Sequence, residues 1–125
     1  MSGAVIDLDR TSVIVARTEV AASHWAKFWG LMGRASLPED LGLWFPGANS
    51  IHMMFMRFPI DVLFLGELDS VGARTVLELR VGLRPWTGVV WLARGAKACL
   101  ELPAGAIARA EVQVGDRIRF EGDAG

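Results

Sequence analysis

Tyrosine is absent from this chain, and asparagine and glutamine occur once each. Glycan-binding and adaptable polar surfaces usually draw on those amides and phenols, so neither is expected. A single cysteine, Cys99, excludes an internal disulfide and fits a reducing compartment. Long apolar runs are missing too. Stretches such as "VLFL" and "VVWLA" extend over only a few residues, whereas a membrane helix needs roughly 20. No basic block occurs: 13 basic and 14 acidic residues are dispersed, for a net charge of −1. A nucleic-acid partner is therefore not expected. The opening "MSGAVIDLDR" has neither the basic nor the apolar region of a signal peptide. Together these absences lead us to expect a cytoplasmic chain with no membrane span.

What is present is apolar. Of the 125 residues 52 % are hydrophobic, and the mean hydropathy is +0.34. That length suits one domain, residues 1–125, able to bury a core without disulfides or metal. "AVID" and "SVIVAR" read as short strands around an Asp9-Arg10 turn. In "AASHWAKFWGLMG", residues 21–33, Trp25, Phe28, Trp29 and Met32 share one helical face, with Thr18 or Ser23 as candidate caps. "LGLWF", "SIHMMFM", "IDVLFLG", "RTVLELRV", "GVVWLA", "AKACLEL" and "RIRFEG" read as strands. In "RTVLELRV" the alternation puts Leu77 and Leu79 on one face. In "AKACLEL" it puts Ala98, Leu100 and Leu102 opposite Lys97, Cys99 and Glu101. "PAGAIARAE" reads as a short helix with Pro103 in its first position. We expect a mainly β (α+β) fold: a compact rolled sheet or barrel-like structure with one or two short helices packed on it.

Signatures of specific chemistry are scarce. There is no G-x-S-x-G, G-x-G-x-x-G, P-loop, H-E-x-x-H or C-x-x-C motif. The nitrogen and sulfur ligands amount to His24, His52 and Cys99, none at a metal-ligand spacing. No metal or cofactor is expected, and no catalytic residue is assigned. Met53, Met54 and Met56 alternate across a strand and read as core packing. Cys99 reads as an unreactive thiol. "SIHMMFMRFPIDVLFLG", residues 50–66, sets His52, Arg57 and Asp61 into an apolar run. Asp61 falls at one end of a face otherwise made by Leu63 and Leu65, and a buried carboxylate must be paired or hydrogen-bonded. It either pairs with an arginine, accepts backbone N–H groups near Pro59, or joins His52 in a small polar pocket.

"GLMGRASLPED", "GLWF", "FPIDVLFL", "LELPAG" and "VGDRIRF" follow one another in this order. Over residues 27–121 the chain resembles the domain of unknown function 192 family, small proteins of bacteria and archaea. The resemblance implies a single, largely β domain and carries no established activity. Arg34, which matches a motif position, is a candidate partner for Asp61, Glu39 or Asp40. The family's more common form has a lysine where Met54 stands, and Arg57 is the nearest substitute. We therefore expect a bacterial, non-enzymatic domain that binds a small ligand or a protein partner, with His52, Arg57, Asp61 and Arg34 as candidate ligand-binding residues. The competing expectation is an enzyme whose polar pocket is formed by His52, Arg57 and Asp61. A third is an interaction module using exposed Trp44, Trp86 and Trp91.

Overall fold

The apolar β-branched and aromatic runs form strands where they are described, and of "SIHMMFM" only residues 50–52 are. In the computed structural model, which describes residues 3–20, 38–47, 50–52, 58–84 and 90–121, ten strands and one short helix follow in order. They are β1 (Ala4–Asp7), β2 (Ser12–Val15), β3 (Arg17–Val20), β4 (Leu41–Pro46), β5 (Ser50–His52), β6 (Ile60–Leu68), β7 (Ala73–Leu83), β8 (Val90–Leu92), β9 (Ala98–Pro103), α1 (Ala106–Ala110) and β10 (Arg117–Glu121). The helix expected over residues 21–33 lies outside the described residues. Thr18, a candidate cap for it, is instead part of β3, and its hydroxyl donates to the Gly3 carbonyl at 2.8 Å.

Eight strands make one sheet in the order β2-β1-β10-β7-β6-β9-β4-β3, and β5 pairs with β8 in a separate ladder. All pairings are antiparallel except β3 with β4. No ladder joins the edge strands β2 and β3. They are nevertheless consecutive in the chain, with Ala16 alone between them. A sheet whose two edges are one residue apart has to curl until they meet, so it is rolled, as expected.

Rolling separates two apolar clusters. The inner one draws on seven strands and the helix, including Val5, Ile14, Trp44, Leu63, Leu65, Val76, Leu100, Leu102, Ile107 and Ile118. The outer one lies on the opposite face of the middle strands and includes Leu43, Phe58, Ile60, Val62, Phe64, Leu83 and Cys99. β9 sits between β6 and β4, and all six of its residues are buried. The alternation placed its residues on the right faces, but both faces are dry: Lys97 is exposed, whereas Cys99 and Glu101 are buried like the leucines beside them.

In β7, by contrast, the alternation is broken. Phe64 pairs with Glu78 and Leu65 with Val76, so Leu77 is an extra residue with no partner of its own. Such a bulge turns its side chain to the other face. Leu79 accordingly packs on the inner cluster and Leu77 on the outer one.

The short helix starts later than expected. Pro103 ends β9, and Gly105 caps α1 with φ 94°. A side chain at that left-handed position is strained by about 1–2 kcal/mol, and a Cβ there would stand 2.9 Å from Arg109 Nη1. Gly105→Ala is expected to destabilise by that amount, read as a lower midpoint in urea with an unchanged slope. An unaltered midpoint would mean the turn adopts another conformation at no cost.

Candidate binding site

Asp61 lies on β6 between Ile60 and Val62 of the outer cluster, so its own side chain points to the inner face with Leu63 and Leu65. The carboxylate is wholly buried. Its Oδ1 accepts the Gly82 N–H at 2.8 Å, and Oδ2 accepts those of Gly105 at 3.1 Å and Ile107 at 3.0 Å. Gly82 and Gly105 both have positive φ. That backbone geometry helps aim their amides at one acceptor. Three backbone N–H groups thus converge on one carboxylate, which offsets the cost of burying it. Asp61 ties β6 to the end of β7 and to the turn leading into α1. Backbone N–H acceptance, one of the arrangements expected for it, is present, while pairing with Arg34 or Arg57 or a pocket shared with the His52 side chain falls outside what is described. The donors come from distant segments rather than from the neighbourhood of Pro59.

His52 ends β5 and stands opposite Val90 of β8 in the two-stranded ladder. Arg57 and Arg34 lie outside the described residues. Asp40, a suggested partner for Arg34, is held by Arg17 through Nε at 2.7 Å and Nη2 at 3.0 Å. Both side chains are half exposed, so the pair contributes little to stability. Trp44 is buried, edge-on to Phe120 at 4.9 Å, with the Arg74 guanidinium 5.4 Å from its ring centre. It is therefore a core residue and not part of an exposed tryptophan surface.

Sequence reasoning passed over Glu101 as a site residue. It faces the outer cluster, with Leu43 and Val62 as its cross-strand partners and Cys99 two residues away on the same side. Only 4 % of it is exposed. Burial alone, with no described charge or hydrogen bond contributing, pushes its pKa up to about 8. At neutral pH it is mostly a neutral carboxylic acid and so a hydrogen-bond donor. Burial and the nearby Glu101 push the Cys99 thiol up to about 12, which leaves it protonated and a poor nucleophile. A usable signal was present: a glutamate inside an otherwise apolar six-residue strand. A strand packed on both faces reads as a continuous apolar run, and an acid within such a run stands out.

Residues 5–120 match the DUF192 family, described as an uncharacterized ACR. The chain belongs to this family. A UPF0127 protein of Thermococcus sibiricus is 34 % identical over 121 residues, 94 % of this chain and 74 % of that protein. A UPF0127 protein of Pyrococcus furiosus is 41 % identical over 71 residues, 57 % of this chain and 55 % of that one. Two solved structures share the DUF192 chain's fold. One, from Sinorhizobium meliloti, has a TM-score of 0.73 at 24 % identity and covers 96 % of both chains. The other, a protein of unknown function from Novosphingobium aromaticivorans, has a TM-score of 0.72 at 25 % identity and covers 95 % of this chain and 84 % of its own. The DUF192 resemblance read from the motifs is thus correct and extends further toward the N-terminus than residue 27. Among the described residues no helix is long and apolar enough to cross a membrane.

Proposed function

We propose that this DUF192 domain binds a small, largely apolar ligand carrying a hydrogen-bond acceptor, and does no chemistry on it. The observation that carries this reading is Glu101, a carboxyl kept neutral by burial on an apolar sheet face. A neutral acid in such a setting donates a hydrogen bond to a ligand oxygen at little desolvation cost, the usual pattern of one polar anchor in an apolar site. His52, Arg57 and Arg34 are kept as further candidate contacts. Asp61 acts at one remove, because both its oxygens are already engaged by backbone amides. The protonated Cys99 thiol favours binding over nucleophilic catalysis. The bacterial cytoplasm is the setting this reading assumes.

The test is the melting-temperature shift produced by a series of medium-chain fatty acids at pH 6.5, on the wild type, Glu101→Gln and Glu101→Leu. The glutamine variant keeps a donor and is expected to respond like the wild type. The leucine variant is expected to lose most of the shift. Equal shifts in all three would remove Glu101 from the site. Turnover of simple esters that disappears in His52→Ala would favour the enzymatic alternative instead.

A further inference from the structure

A second group of acids lies at the end of the roll where the β1–β2 turn meets the start of β10. Asp7, Asp9 and Asp116 each place a carboxylate oxygen within 4.8 Å of the other two. Asp7 and Asp116 are buried, while the side chain of Asp9 is 40 % exposed. Each acid commits one oxygen to backbone N–H groups. Asp7 Oδ1 accepts from Asp9 at 3.0 Å and Arg10 at 3.1 Å, Asp9 Oδ2 from Arg117 at 2.7 Å, and Asp116 Oδ2 from Gln113 at 3.0 Å. The second oxygens are left for other partners. Asp9 Oδ1 stands 3.6 Å from Arg117 Nη2, and Asp116 Oδ1 is 3.5 Å from Arg10 Nη2. Asp7 Oδ2 is buried with no hydrogen-bond partner, in a residue with no exposed surface. Its neighbour is the carboxyl of Asp116. Two ionised carboxylates in contact repel, and a buried acceptor with no donor is costly. Either a proton or a cation must lie between them. Arg10 supplies positive charge to Asp116, through Nε at 2.9 Å, and does not reach Asp7 Oδ2.

We propose that Asp7, Asp9 and Asp116 form a site for a hard divalent cation of the calcium type. An all-oxygen carboxylate set suits calcium or magnesium, and the partly exposed Asp9 leaves room for the waters that complete such a shell. Nitrogen and sulfur ligands were the basis for expecting no metal, and a set of three aspartates contains neither. The cation would clamp the β1–β2 turn to the 113–116 turn, and Arg10 would compete with it for Asp116.

The test is calorimetric titration of calcium chloride into chelator-stripped protein at pH 7.5, at constant ionic strength, for the wild type, Asp7→Asn, Asp9→Asn and Arg10→Gln. Asp7→Asn keeps the acceptor for its two backbone N–H groups and is expected to weaken binding at least about tenfold, since calcium affinity follows ligand charge. Asp9→Asn, at an exposed position, decides the matter if Asp7→Asn does not fold, and should weaken binding too. Arg10→Gln is expected to tighten it. No calcium binding in the wild type and in Arg10→Gln, or wild-type affinity in the folded aspartate variants, overturns the proposal. A proton shared between Asp7 and Asp116 would then account for the arrangement.

Discussion

Replacing Asp61 with alanine is expected to remove several kcal/mol of stability: the buried Ile107 N–H left without an acceptor costs about 1–3 kcal/mol, and the part-buried Gly82 and Gly105 N–H groups add smaller losses. The three donors are the amides of Gly82, Gly105 and Ile107. None can rotate away, because each belongs to backbone fixed by a strand end or a helix start. A domain of this size is stable by roughly 5–15 kcal/mol, so Asp61→Ala takes a large part of the total. Asp61→Asn is the milder case. Its amide oxygen can keep the Gly105 and Ile107 donors, but its NH2 then faces the Gly82 N–H, donor against donor. A loss of about 1–3 kcal/mol is expected there. Urea denaturation of both variants measures this. Because Gly105 is both a donor to Asp61 and a left-handed cap, Asp61→Asn and Gly105→Ala should be non-additive in a double-mutant cycle. A melting temperature unchanged by Asp61→Asn would mean that this carboxylate anchors nothing.

The same residue marks how far the sequence could be read. Placing Asp61 at the end of the Leu63–Leu65 face followed from strand alternation, and its burial made a hydrogen-bonded or paired state obligatory. The donors were not legible, since Gly82 and Gly105 are 21 and 44 residues away and become neighbours only through the register of the sheet. The rolled, mainly β architecture was visible in the spacing of short apolar runs and turn residues. Its closure was not, because it depends on β2 and β3 ending up at opposite edges of one sheet. Leu77 shows a third limit: alternation assumes an unbroken ladder, and one bulge reverses a side chain. Glu101 shows a fourth. Alternation assigned it to a face correctly but could not say whether that face was wet or dry.

Stability should fall as pH rises from the usual glutamate value of 4.5 to about 8, the value to which burial raises Glu101. Between those limits the folded protein holds a proton on Glu101 that the unfolded chain has lost, so raising the pH favours unfolding. Below 4.5 both states are protonated and the penalty vanishes; above about 8 it is complete. At about 1.4 kcal/mol per pKa unit the whole window is worth up to about 5 kcal/mol. Asp7, which burial and Asp116 raise from 3.8 to about 6, acts in the same direction. Its window closes near pH 6, so the slope between pH 6.5 and 8 isolates Glu101 among these two groups. Glu101→Gln cannot ionise and keeps the side chain's size. It should therefore lose that slope and be more stable than the wild type at pH 9, while at pH 5 the two differ little. Urea denaturation at pH 5, 7 and 9 separates the cases. Identical slopes in both proteins would mean that Glu101 ionises at its ordinary value. The outer face would then hold an anion at neutral pH, with no donor left for a ligand oxygen.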